Sequence, residues 1–276
     1  MRIWRSSRSL LVLFFLTSGA CAPARLTGQS TCEGPTPLPP RPNEPGGFIC
    51  ITNRSFGARE EPGWSTRRGN TFTIVEDKSA PVSPPFVGRA QFPVGYVGGS
   101  GPINTSAQLR GKRVRELYLA FWLKLPEGFE GAQSAGINKV LHIWLGERSV
   151  VVFSAQGRGR NALTPQMRLQ NVRADRRGVS FNLNPQREAV PQILRDRWYE
   201  VEIHLRLNSP GESNGIVEWW LDGRPAGEYR NVGFLNPGDD LYWSEISWNP
   251  TWGAPKDRTA REMSMLVDHF YVSAKP

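Results

Sequence analysis

The chain has 276 residues, with 34 Lys or Arg against 25 Asp or Glu, a net charge of +9. That length suits one large β-sandwich or two small domains, and the basic balance favours anionic partners. No dense Lys/Arg run with interleaved aromatics occurs, which argues against nucleic acid. No long stretch repeats apolar residues at helical spacing, and 28 Gly and 23 Pro punctuate short alternating runs, so an all-β fold is expected.

In chain order, the first element is a targeting segment. Arg2, Arg5 and Arg8 precede an apolar run from Leu10 to Leu16, followed by small residues up to Ala20 and then Cys21. This is the layout of an export signal over residues 1–20, with an apolar run too short to span a bilayer. Cys21 stands where a bacterial lipoprotein carries its acylated cysteine, although Ser18 occupies a place where Leu is usual; plain cleavage near Ala20 or Ala22 is the alternative. With Cys21 acylated, Cys32 and Cys50 remain as a pair for a disulfide in an oxidising compartment. Residues 21–46 are proline-dense and read as a stiff, extended spacer. The folded body is expected over residues 47–276, in the periplasm, on the outer membrane or outside the cell.

Within the body, Phe48 to Thr52, Thr71 to Val75 and Ala90 to Phe92 are strand candidates. The strongest is Arg115 to Leu125, where Leu117, Leu119, Phe121, Leu123 and Leu125 share one face and Tyr118, Ala120, Trp122 and Lys124 the other. Asn138 to Leu145 follows, with Leu141, Ile143 and Leu145 set against Asn138, Val140, His142 and Trp144. Ser149 to Ser154, Met167 to Val172 and Val179 to Leu183 continue the series. Trp198 to Leu207 turns Tyr199, Val201, Ile203, Leu205 and Leu207 one way and Trp198, Glu200, Glu202, His204 and Arg206 the other. Ile216 to Leu221, the turn at Asp222-Gly223, Tyr242 to Trp248 and Met265 to Ser273 close the domain.

The run Trp198-Tyr-Glu-Val-Glu-Ile-His-Leu-Arg-Leu-Asn, with Gly215-Ile-Val-Glu-Trp-Trp-Leu-Asp-Gly-Arg after it, resembles the back-sheet hairpin of concanavalin A-like lectin/glucanase jelly rolls, above all their polysaccharide-lyase branch. The strands at 117–125 and 138–144 and the ending Leu266-Val-Asp-His-Phe-Tyr-Val-Ser fit the same plan. The resemblance implies a jelly-roll β-sandwich of two antiparallel sheets, the concave one lining a sugar groove. On that analogy the strands at 117–125 and 138–145 lie in the groove, offering Tyr118, Trp122, Lys124, Asn138, His142 and Trp144, and the strand at 198–207 lies on the outer sheet with Glu200 and Glu202 in water.

Lyases of this kind place Gln-x-His on a groove strand; here the stretch is Val140-Leu141-His142, without the Gln, and the family's Tyr- and Lys-bearing motif is not recognisable. β-Elimination needs a base, a group neutralising the uronate carboxylate and an acid for the leaving oxygen. His142 is the candidate base, Lys124, Asn138 or Arg168 the neutralising group, and Tyr118 the acid. Trp122 and Trp144 are candidates for stacking on sugar rings, with core filling as the alternative. The paired carboxylates of a glycoside hydrolase are missing in their family pattern, and Gly211-x-Ser-x-Gly215 lies in a loop and not at a strand-to-helix elbow.

No cofactor or metal site is expected from three scattered histidines; Asp239-Asp240 is the one place for the structural calcium that some family members hold. The leading expectation is a monomeric, exported protein that binds an acidic polysaccharide. A lyase using His142 and an envelope scaffold without a sugar site are the alternatives, and whether the chain is an enzyme stays open.

Overall fold

The computed structural model describes residue 32 and residues 39–57, 63–66, 72–172, 181–186 and 190–275. Cys21 and the export signal lie outside the described residues. Among the described residues there is no helix, so none is long and apolar enough to cross a membrane. There are fifteen described strands: β1 (Ile49–Arg54), β2 (Trp64–Thr66), β3 (Thr73–Glu76), β4 (Phe86–Phe92), β5 (Thr105–Gln108), β6 (Glu116–Lys124), β7 (Asn138–Leu145), β8 (Ser149–Gln156), β9 (Thr164–Gln170), β10 (Phe181–Leu183), β11 (Trp198–Arg206), β12 (Gly215–Leu221), β13 (Arg224–Val232), β14 (Trp243–Trp252) and β15 (Met263–Ala274).

They form two antiparallel sheets. One has eight strands in the order β13-β12-β11-β6-β15-β4-β3, with β1 added on β15; the other has seven, in the order β10-β9-β8-β7-β14-β5-β2. Every described pairing is antiparallel and many neighbours are distant in sequence, which makes this a jelly-roll β-sandwich. The aliphatic faces of β6, β7 and β11 meet between the sheets as predicted: Leu117, Leu119, Phe121 and Leu123 pack with Leu141, Ile143, Val201, Ile203 and Leu205 in one continuous core. Trp219 on β12 is fully buried and donates its indole N–H to the Pro165 carbonyl of the opposite sheet at 3.2 Å. Its partner on β13 is Gly227, where any Cβ would collide with the indole.

One expectation of topology is corrected. β6 and β7 do not share a sheet: β6 lies in the eight-stranded sheet between β11 and β15, and β7 in the seven-stranded sheet between β8 and β14. β11 does lie in the sheet opposite β7, but β6, expected in the groove, is its neighbour there, paired over nine residues from Trp198–Lys124 to Arg206–Glu116. Period-2 alternation gives each strand an inner face but says nothing of the sheet that holds it.

The proline-dense lead-in is also no free spacer over residues 41–44. Asn43 donates to Glu202 at 2.8 Å, the hydroxyls of Tyr271 and Ser273 donate to Glu44, and the Arg41 guanidinium sits 3.4 Å above the Tyr271 ring. Cys32 and Cys50 are joined by a disulfide, tying the lead-in to β1. The lead-in thus straps the outward face of the eight-stranded sheet. Under it, Glu202 is fully buried and accepts the Tyr118 hydroxyl at 2.6 Å. Glu200 is half-buried, and burial, reinforced by the charge of Glu202, pushes its pKa up to about 7. Neither carboxylate is the freely solvated group expected from the sequence.

Candidate functional site

The outward faces of the two sheets differ. On the eight-stranded sheet many polar side chains are paired with one another, although Asn53, Asp268 and His269 keep buried atoms without a hydrogen-bond partner. Tyr118 is spent on Glu202, and its burial raises its pKa. Lys124 forms ion pairs with Asp77 at 3.0 Å and Asp196 at 3.4 Å. His204 bridges Glu218 at 2.8 Å and Glu116 at 2.9 Å. Asp268 accepts the backbone N–H groups of Val82 and Ser83, a structural role. Trp122 lies on this face between Glu200 and Asp268 in register.

The seven-stranded sheet carries a different face. Leu141 and Ile143 of β7, Phe153 of β8, Met167 of β9 and Ile246 of β14 enter the core, so the residues alternating with them point outward. Cross-strand register puts Asn182, Arg168, Val152, His142, Ser247, Ser106 and Ser65 in one row. A second row runs Gln170, Val150, Trp144, Glu245 and Gln108. His142 is only 6 % exposed although it points away from the core, so taller neighbours wall it in. Its ring lies nearly parallel to that of Trp144, 16° between planes and 6.2 Å between centroids.

A bulge decides which residues of β7 join this face. The β7–β8 register slips between Lys139 and Leu141, which breaks the alternation predicted from Asn138 to Trp144. Lys139 turns outward and donates to Gln170 at 3.1 Å. Asn138 turns inward, fully buried: its oxygen accepts the Ala132 N–H at 3.0 Å, and its amide donates to the Ala155 carbonyl at 2.7 Å and the Gly157 carbonyl at 3.1 Å. Asn138 therefore braces the 131–136 loop and is not available to a ligand.

Lys139, His142 and Arg168 then form a cationic group around a neutral imidazole. Burial, aided by the Lys139 charge, lowers the His142 pKa to about 3. Burial and the Arg168 charge lower that of Lys139. Adjacent strands lie about 4.8 Å apart, so the backbones at His142 and Arg168, two strands apart, are about 10 Å apart. Three buried polar atoms of this patch have no hydrogen-bond partner: His142 Nδ1, Arg168 Nε and Ser154 Oγ. Buried polar groups without partners are rare in folded proteins, and a cluster of them in a walled face marks a place shaped for something else.

Of the residues the sequence singled out, His142, Trp144 and Arg168 are brought together. Tyr118, Trp122 and Lys124 lie on the outward face of the opposite sheet, so no constellation of His142 with Tyr118 and Lys124 forms. Lys139, Gln170 and Ser247 were missed. A signal for part of this set existed in Gln166, Arg168 and Gln170, which alternate along β9. Asp239 and Asp240 are engaged by their own loop: Asp239 accepts the Asn236 N–H, and Asp240 accepts the Tyr242 hydroxyl and faces Arg113 at 3.5 Å. Among the described residues no group of three His, Cys, Asp or Glu side chains is placed to hold a metal.

Two antiparallel sheets with this strand order define a jelly-roll β-sandwich. No protein-family model matches the chain, and no curated protein matches it in sequence. Solved structures do match in fold. Alginate lyase vAL-1 from Chlorella virus superposes with a TM-score of 0.56 at 15 % identity, over 74 % of this chain and 89 % of that one. A mutant of alginate lyase Aly36B in complex with alginate trisaccharide gives 0.57 at 9 % identity, over 76 % and 98 %. Endo-β-1,4-glucuronan lyase from the fungus Trichoderma reesei gives 0.56 at 13 % identity, over 82 % and 96 %. The chain has the jelly-roll fold of these proteins.

Proposed function

We propose that the outward face of the seven-stranded sheet binds an anionic polysaccharide built of uronates. The observation that carries this reading is the grouping of Lys139, His142 and Arg168 around buried, unpartnered polar atoms. A uronate carboxylate placed there meets two cations, and charge-assisted hydrogen bonds of that kind are about twice as strong as neutral ones. Trp144 offers a flat apolar surface for a sugar ring beside them. The likeness in fold to an alginate lyase and a glucuronan lyase supports the choice of sugar class. The N-terminal signal and the Cys32–Cys50 disulfide support export to an oxidising compartment, with Cys21 as the lipidated residue at the cell envelope.

A second reading, β-elimination, is favoured by the placement of His142 between Lys139 and Arg168, two cations that would neutralise the carboxylate; against it, burial lowers the imidazole pKa to about 3, which makes it a weak base. The acid for the leaving oxygen is the missing part, since Tyr118 faces the other side of the sandwich. Binding is therefore the leading function. Titration calorimetry of the protein with oligomers of alginate and glucuronan tests it: the expected result is binding that Arg168→Gln weakens, and absence of binding to either would overturn the reading. Ultraviolet detection of unsaturated uronate ends in the same samples decides whether elimination follows.

A further inference from the structure

A different part of the molecule carries a second concentration of positive charge. The start of β6, the end of β11 and the end of β15 meet at one end of the eight-stranded sheet, where Glu116 pairs with Arg206 and Leu117 with Ala274. A cleft of about 530 Å³ opens there, lined by Arg113, Arg115, Glu116, Arg206, Ser209 and Lys275, among others. Four cations thus face one carboxylate. That carboxylate is already engaged, since Glu116 is bonded to His204.

The cations are held but not neutralised. Arg115 donates to the Asn208 carbonyl at 2.9 Å and Arg206 to the Asn214 carbonyl at 3.2 Å. These bonds to neutral oxygens fix the guanidinium groups and leave their charge intact. Of the four cations only Arg113 forms an ion pair, with Asp240, and both are largely exposed. Among the described residues no carboxylate forms an ion pair with Arg115, Arg206 or Lys275. Bringing like charges together in one cleft is unfavourable unless an anion occupies it.

We propose that this cleft is a second anion site, separate from the His142 face, and that it takes a phosphate or sulfate group. Two guanidinium forks and an ammonium, arriving from three strand ends, offer donors in several directions. That arrangement suits an oxyanion with three or more acceptor oxygens better than a flat carboxylate. The Ser209 hydroxyl on the rim adds a neutral donor.

The test is calorimetric titration of the full chain with inorganic phosphate, inorganic sulfate and a sulfated oligosaccharide. Ionic strength is held constant with chloride so that screening does not change. Arg206→Gln/Lys275→Gln is the main variant, because both side chains are exposed. Lys275→Gln alone is the fallback, and His142→Ala the control for the other face. The expected result is binding of an inorganic oxyanion that weakens about tenfold or more in the double variant, the loss of about 1.4 kcal/mol, and is unchanged by His142→Ala. A tighter sulfated oligosaccharide identifies a polymer-borne group; equal affinity identifies the free ion. No binding of either inorganic ion, binding unaltered by the double variant, or binding lost in His142→Ala would each overturn the proposal.

Discussion

Glu200→Gln should stabilise the protein at alkaline pH and do almost nothing in mild acid. The Glu200 carboxyl stands on the outward face of β11 beside Glu202, with Asp222 behind it and the Arg41 guanidinium of the lead-in as its opposing charge. Burial is the largest cause of its raised pKa, from the ordinary 4.5 to about 7, and the charges of Glu202 and Asp222 add to it against that of Arg41. Below pH 4.5 the group is protonated in both folded and unfolded chains and has no effect. Between 4.5 and 7 the unfolded chain loses its proton first, so stability falls as pH rises, and above 7 the full cost is present. At about 1.36 kcal/mol for each pH unit the difference amounts to about 3.4 kcal/mol. Glu200 keeps part of its surface in water, and solvent screening there leaves about 1–2 kcal/mol.

Urea unfolding of wild type and variant at pH 4.5 and pH 8 measures this directly, and comparing the two proteins at each pH cancels the other titrating groups. The expected gap is close to zero at pH 4.5 and about 1–2 kcal/mol in favour of Gln at pH 8. A gap that does not widen with pH would mean that Glu200 titrates alike in the folded and unfolded chains, contrary to its burial.

Tyr118→Phe removes the hydroxyl bonded to fully buried Glu202 and leaves Asn43 as its remaining hydrogen-bond donor; a loss of about 1–3 kcal/mol in unfolding free energy is expected, with sugar binding unaltered in titration calorimetry. Asn138→Ala strips partners from the Ala132 N–H and the Ala155 and Gly157 carbonyls and should cost about 2–3 kcal/mol by chemical denaturation. Lys139→Met takes away the charge that helps depress His142, so the imidazole pKa followed by NMR should move upward. His142 and His269 are both held below their ordinary 6.5, to about 3 and about 4. Their contribution to stability is complete above pH 6.5 and is lost as pH falls towards 4, which acid titration of the unfolding midpoint detects, with His269→Gln flattening the slope.

The inner faces of β6 and β11 were legible because Leu117 to Leu123 and Tyr199 to Leu205 alternate without interruption, and a half-buried strand requires only that. The division between sheets was not, because an alternating strand fits either layer. β7 shows a subtler loss. Its bulge near Val140 exchanges Lys139 for Asn138 on the outward face, and a bulge depends on the neighbouring strand's pairing. Glu200 and Glu202 looked solvated because their cover comes from Arg41 and Asn43, some 160 residues earlier in the chain. His142, Trp144 and Arg168 were visible as residue types on predicted strands, whereas the fact that they meet follows only from the order β9-β8-β7.

The outward face of the seven-stranded sheet is proposed as the place where a uronate chain binds. Amide and indole chemical-shift mapping by NMR, with an alginate tetrasaccharide added to the full chain, tests that most directly. The predicted result is a contiguous set of shifts on Lys139, His142, Trp144, Arg168, Gln170 and Glu245, lost in Arg168→Gln. Shifts confined to the Trp122 side of the sandwich, or none at all, would contradict it.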